Sequence, residues 1–175
     1  APSEPEVALW ANYPAAPFVA VSREQARLMK GLNVAGVVPH GINTAAFAYA
    51  EAPADYLLFL GRFTEGKGVL QAIEAARRAG TRLLLAAAEN QYYRDVVSPH
   101  VDGTSIVYVG EVDHNAKVTL LGGARALLYP VQSPESFGLV LAEAAVCGTP
   151  AAALDRKSTR LNSSHVSESR MPSSA

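Results

Sequence analysis

One cysteine, Cys147, stands in 175 residues. That excludes a disulfide framework and a cysteine-based metal cluster, and it makes a reducing, cytoplasmic compartment the expectation. Charge of neither sign is in excess: 15 Lys and Arg face 16 Asp and Glu, for a net charge of −1. No bulk field therefore recruits nucleic acid or an anionic membrane. No apolar run reaches the length of a membrane span, and no secretory leader is visible. Several signature motifs are missing too. No Gly-x-Gly-x-x-Gly follows a strand, no Walker sequence occurs, and there is no Gly-x-Ser-x-Gly elbow. No Asp-x-Asp pair is present to hold a metal against a diphosphate, and His100 and His114 lack metal-ligand spacing. Neither a metal nor a cofactor is expected.

What remains is apolar and regular. Hydrophobic residues make up 49% of the chain, enough for one globular domain with a core. The final stretch departs from this. "RKSTRLNSSHVSESRMPSSA", residues 156–175, holds only Leu161, Val166 and Met171 as sizeable apolar side chains. It cannot bury enough surface to offset its chain entropy. It resembles the in-frame translation of a sequencing adapter, and we set it aside as a disordered read-through product. Without Arg156, Lys157, Arg160, Arg170 and Glu168, 11 basic residues face 15 acidic ones, so the body is mildly acidic. The chain opens on Ala in mid-pattern, which points to a missing or processed N-terminal part.

The body divides in two. "PFVAVS" reads as a strand, Ser22 caps a helix over "REQARLMKG" that closes at Gly31, and "VAGVVPHGIN" is a second apolar run. "NTAAFAYAEAPAD" reads as a linker or boundary, giving a first unit at residues 1–45. From Asp55 the pattern is regular. Strands at "YLLFLG", "RLLLAAA", "SIVYVG", "ALLYP" and "AAAL" alternate with helices. Those helices fall at "GVLQAIEAARRAG", with Val69, Ile73 and Ala76 on one face, then at "NQYYRDVVSPH", "NAKVTLLGGA" and "FGLVLAEAAVC". Strands without alternation, separated by helices, predict an α/β fold: a parallel, Rossmann-like sheet with helices on both faces, over residues 46–155.

Ligands bind such sheets beyond the carboxyl ends of the strands. Two loops there carry suitable chemistry. In "GRFTEGKG", Gly61 permits a sharp exit from the strand, and Arg62 and Lys67 stand beside a helix start, a cradle for a diphosphate. A solvated loop in which they pair with Glu65 describes the same spacing. In "PVQSPESFGLVLAEAAVCGTP", the first-turn N–H groups of Gly138 and Leu139 are unpaired and could meet an anion. Phe137, Val140, Leu141 and Ala144 form the predicted buried face, with Glu143 on the same side as Ser136. Glu143 could accept from a vicinal diol such as a ribose, and Glu135 could hold a sugar hydroxyl. A capping acid plus a surface acid is the alternative.

Taken in order, "VVPHGINTAAF", "YLLFLGRFTEGKG", "VYVGEV", "GGARALLYP" and "ESFGLVLAEAAVCGTP" resemble the retaining glycosyltransferases of family 4, which have the two-domain GT-B fold. Glu135 and Glu143 match that family's Glu-x7-Glu signature. The resemblance spans about residues 18–154. It implies a hexosyltransferase acting on a UDP- or GDP-type sugar donor and an unknown acceptor, with retention through front-face attack. Arg62 and Lys67 would bind the diphosphate, Gly138 and Leu139 the distal phosphate, Glu135 the donor sugar and Glu143 the ribose. Arg62, Lys67 and Glu135 would be the catalytic residues. Gly110, Glu111 and Val112 would lie near the base, and Gly61, Ser136 and Phe137 would complete the donor site. Cationic neutralisation of the leaving group would stand in for a metal.

Three positions depart from the pattern: Gly66 where Glu is usual, which predicts a looser helix start, Asn43 for Asp, and Ser136 for Pro. Only the end of an acceptor domain would be present, so the 175-residue chain would be inactive by itself. Peripheral membrane contact would fall to the missing domain. The same fold also serves nucleotide-sugar 2-epimerases and could serve a non-catalytic binding module.

Overall fold

Burial on both faces of the central strands sets the layers of this protein. A computed structural model describes residues 8–154; the tail at 156–175 lies outside them. Five parallel strands form the main sheet: β3 (Leu57–Leu60), β4 (Leu83–Ala86), β5 (Ile106–Gly110), β6 (Ala126–Tyr129) and β7 (Ala151–Ala153), in the order β5-β4-β3-β6-β7. Successive residues of a strand point to opposite faces, and here both faces are covered. Phe59, Leu83, Leu85, Ile106 and Leu128 pack on one side with Val69, Ala72, Ile73 and Ala76 of helix α2 (Val69–Ala79). Leu58, Leu84, Ala86 and Leu127 pack on the other, against Leu121 of α3 (His114–Gly123) and Ala144 of α4 (Leu139–Val146). Truncating a leucine such as Leu85 to Ala costs about 2–5 kcal/mol in such a core. This is the α/β architecture expected from the unalternating strands.

The N-terminal elements form a second, two-stranded parallel sheet of β1 (Phe18–Ala20) and β2 (Val34–Val37). Helix α1 (Arg23–Leu28) joins them. Ser22 Oγ accepts from the Gln25 N–H at 3.0 Å, and Gln25 Oε1 reaches back to the Val21 N–H at 2.7 Å. These two bonds satisfy donors that the helix start would leave open.

Two local expectations change. Residues 91–100 do not form a regular helix. A π-helical turn at Tyr93–Val97 runs into a 3-10 turn at Ser98–His100. Pro99 has no N–H to continue an α-helical ladder, and the wider turn seats Tyr93 against Phe63 (5.2 Å between ring centroids) and Tyr108 (4.2 Å). The segment at 43–55 is not a loose linker. Ala54 N–H donates to the Gly123 carbonyl at 2.8 Å, His114 Nε2 lies 2.8 Å from the Ala46 carbonyl, and the Tyr49 ring covers Gly148. The segment is strapped along the ends of α3 and α4.

The strand order places the crevice. From β3 the chain moves outward through β4 to β5, then returns to β6 on the other side of β3. The loops after β3 and β6 therefore leave neighbouring strands in diverging directions, which opens a crevice between them.

Candidate functional site

The two loops singled out by sequence meet at this switch point. Gly61 leaves β3 with its N–H bonded to the Ala86 carbonyl at 3.2 Å. Arg62 follows, exposed and without a hydrogen bond or ion pair among the described residues. Glu65–Lys67 is a 3-10 turn, and Gly68 follows at φ 74°. A Cβ on Gly68 would run into the Pro130 carbonyl oxygen. The two loops are stitched at Gly66, whose carbonyl accepts from the N–H groups of Gln132 (2.8 Å) and Ser133 (3.2 Å). A Cβ on Gly66 would fall 2.8 Å from Ser133 Oγ. Glycine at position 66 is what lets the loops join.

Lys67 Nζ crosses to an ion pair with Glu135 Oε2. Burial pushes the Glu135 carboxyl up, but the hydrogen bond and charge of Lys67, with a smaller contribution from Tyr129, outweigh it and hold it below the ordinary value. The Tyr129 hydroxyl beside it is buried, and burial first, then the Glu135 charge, pushes its pKa up and keeps it neutral. Lys67 does not pair with Glu65, so the local pairing left open by the spacing is not what forms.

Helix α4 begins at Leu139 after Gly138, which has φ 80° and no side-chain cap. A Cβ on Gly138 would lie 3.1 Å from Tyr129 Oη. The glycine is thus needed for conformation and for space, and the open N–H groups of the first turn make this helix end attractive to an anion. With Gly61, Arg62, Lys67, Tyr129, Glu135, Ser136, Phe137 and Leu139, it lines a cleft of about 330 Å³. His40, from the chain after β2, stands on its rim, edge-on to Phe137 at 5.2 Å. Phe137 was expected in the buried face of the helix. It faces this cleft instead, while Val140, Leu141 and Ala144 pack in the core.

A second cleft of about 350 Å³ adjoins the first and shares Leu60, Gly61, Arg62, Leu139 and Val140 with it. Its other walls are Ala86, Ala87, Ala88, Glu111, Val112, Lys117 and Glu143. Lys117 Nζ donates to Glu143 Oε1 at 2.6 Å. Glu143 was expected on the side of Ser136, yet the two residues line different clefts, because Ser136 lies before the helix start at Leu139 and helical periodicity does not relate them. Gly110 (φ 83°) shapes the turn after β5, its carbonyl accepting from the Ala87 N–H at 3.0 Å, without itself lining either of these two clefts.

Sequence reasoning missed Lys117 and Tyr129, and read His40 as a loop histidine. Only one signal pointed to Lys117. Asp113 caps α3, accepting from the Ala116 N–H at 2.8 Å, which puts Lys117 at the end of the first turn. That α3 and α4 lie side by side could not be read from a spacing of 26 residues. Among the described residues no three His, Cys, Asp or Glu side chains gather to hold a metal, and no helix is long and apolar enough to cross a membrane.

The family model for glycosyl transferases group 1 matches residues 47–160, which take in the five-stranded sheet and both clefts apart from His40. The chain belongs to this family. A glycogen synthase of Mycobacterium tuberculosis is 36% identical over 132 residues, covering 69% of this chain and 31% of that protein. A phosphatidyl-myo-inositol mannosyltransferase of Mycobacterium leprae is 27% identical over 135 residues, covering 67% and 34%. The chain therefore spans about a third of these curated relatives. Among solved structures, AviGT4, a glycosyltransferase involved in avilamycin A biosynthesis, superposes with a TM-score of 0.67 at 30% identity, over 77% of this chain and 43% of that one. Anabaena HepE, in complex with UDP and glucose, superposes at 0.76 and 16% identity, over 91% and 50%, a likeness of fold. The GT-B relationship expected from the motifs stands.

Proposed function

We propose that this chain carries the donor site of a hexosyltransferase of family 4, which moves a sugar from a UDP- or GDP-type donor to an acceptor with retention of configuration. One observation carries the reading. Two clefts meet at Gly61 and Arg62, the junction holds a cation that has no partner among the described residues, and the two glutamates eight positions apart fall in separate clefts. A nucleoside diphosphate sugar has that shape: a sugar and a nucleoside on either side of a diphosphate.

In this reading the diphosphate lies across the junction. Arg62 and Lys67 bind it, and the N–H groups at Gly138 and Leu139 face its distal phosphate. Glu135 holds sugar hydroxyls, with Ser136 and Phe137 beside them. Glu143 accepts from the ribose, and Glu111 and Val112, after the turn at Gly110, border the base. The acceptor oxygen bonds to the sugar carbon on the face from which the phosphate oxygen departs, and its proton passes to that oxygen. Arg62 and Lys67 neutralise the charge that develops on the leaving group, so no metal is called for. The relatives fit a sugar donor: HepE is described with UDP and UDP-glucose, and two curated relatives are a glycogen synthase and a mannosyltransferase. A cytoplasmic location fits the free, buried thiol of Cys147.

Calorimetric titration with UDP, GDP and their glucose and mannose conjugates tests the site. Replacing Arg62 or Glu143 by Ala should weaken binding about tenfold each, the loss of a charge-assisted hydrogen bond. Unchanged affinity in both variants would remove the assignment.

A further inference from the structure

The first cleft contains a polar group without a task in the scheme above. Tyr129 is only 8% exposed, and its Oη is buried with no hydrogen-bond partner among the described residues. Native chains seldom leave a buried hydroxyl unsatisfied, so each such group calls for a reason. Its surroundings are specific. Gly138 packs so close that a Cβ there would lie 3.1 Å from the hydroxyl oxygen. Glu135 is near enough for phenol and carboxylate to perturb each other, though short of a formed hydrogen bond. Glu135 Oε2 meanwhile accepts from Lys67 Nζ.

Glu135 thus has two candidate partners and engages one. A diphosphate at the junction carries more negative charge than a carboxylate and competes for Lys67. Were Lys67 to leave, Glu135 would remain a half-buried anion facing an anionic ligand, unless a neutral donor replaced the lysine. Tyr129 is such a donor: it adds no charge and does not compete for the phosphate.

We propose that Tyr129 is a positioning residue for Glu135 and acts by exchange of partner. In the unliganded chain Lys67 holds Glu135. With a nucleoside diphosphate sugar bound, Lys67 turns to the phosphate, and one Glu135 oxygen takes the Tyr129 hydrogen while the other accepts from a sugar hydroxyl. The inference rests on the donor-site reading above. It makes the contribution of the sugar to binding depend on a phenol that need not touch it.

The test compares the wild-type chain with Tyr129→Phe, titrated with UDP and UDP-glucose and, in parallel, with GDP and GDP-mannose. The variant should lose about tenfold more affinity for the sugar nucleotide than for the bare nucleotide, without a fall in the melting temperature of the unliganded chain. Equal losses for both ligands together with a lower melting temperature would make Tyr129 a packing residue and overturn the proposal, as would an unchanged ratio. Wild-type chain that binds none of the four ligands would overturn the donor-site reading itself, and this inference with it. If the variant does not fold, ¹³Cζ-tyrosine NMR of the wild-type chain decides. The Tyr129 resonance should move downfield at saturating sugar nucleotide, and an unmoved resonance would refute the exchange.

Discussion

Replacing Gly66 by Ala sets two effects of known sign against each other. Gly66 does not have the positive φ that favours glycine. At such a position Gly→Ala stabilises by about 0.4–1 kcal/mol, because the unfolded chain loses freedom. The added methyl, however, would lie 2.8 Å from Ser133 Oγ and 2.9 Å from Ser133 Cβ. Oγ can swing away by rotation about χ1, but Cβ is fixed by the backbone and cannot. Forcing a methyl into such a space costs about 1–3 kcal/mol. If the loop shifts instead, it gives up the bonds from Gln132 and Ser133 to the Gly66 carbonyl, at about 1 kcal/mol each. The difference of the two effects leaves Gly66→Ala less stable, by up to about 2.6 kcal/mol. In a Ser133→Gly background both clashing atoms are gone, and the same substitution should become neutral or stabilising. Urea unfolding at 25 °C of the four proteins measures the cycle, with constant m-values as the check on two-state behaviour. An equal effect of Gly66→Ala in both backgrounds would refute the stitching of the two loops.

Three further outcomes are expected. Lys117→Met removes the cation from Glu143, whose side chain is only 17% exposed. A double-mutant cycle with Glu143→Gln should give a coupling of about 1–2 kcal/mol, between the values of exposed and buried pairs, by urea unfolding. Gly138→Ala imposes a positive φ on an L-residue and crowds Tyr129; it should cost about 2–4 kcal/mol and lower donor affinity, read by thermal unfolding and calorimetry. Asp102 accepts from the N–H groups of Ile106, Thr104 and Ser105, in that order of effect, which lowers its carboxyl to about 2. A folded value below the unfolded one means that its stabilisation is complete above about pH 4 and lost as pH falls toward about 2. Melting temperatures from pH 5 to pH 2 should therefore fall less steeply in Asp102→Asn than in the parent.

Much of this protein was legible in its linear pattern, and for a local reason. Apolar runs without alternation can exist only where both faces of a sheet are covered, so the parallel α/β layers follow from "YLLFLG", "RLLLAAA" and "ALLYP". Gly138 and the ordered pair Glu135 and Glu143 mark a helix start and its neighbours because caps and first turns are properties of adjacent residues. What the sequence could not say concerns groups brought together across the crevice. Lys67 could have paired with Glu65 two positions away, and only the position of β6 beside β3 brings Glu135 to it. Lys117 meets Glu143 because α3 and α4 share one face of the sheet. The turn at Tyr93–Val97 departs from a regular helix because aromatic packing across the core outweighs local propensity. Tyr129 read as one more strand residue. Its buried hydroxyl became visible only when Gly138 and Glu135 closed over the end of β6. Local sequence determines which element forms, since its energies are between neighbours. The partners of charged and polar groups are decided by topology, since electrostatic pairing and burial depend on distance in space.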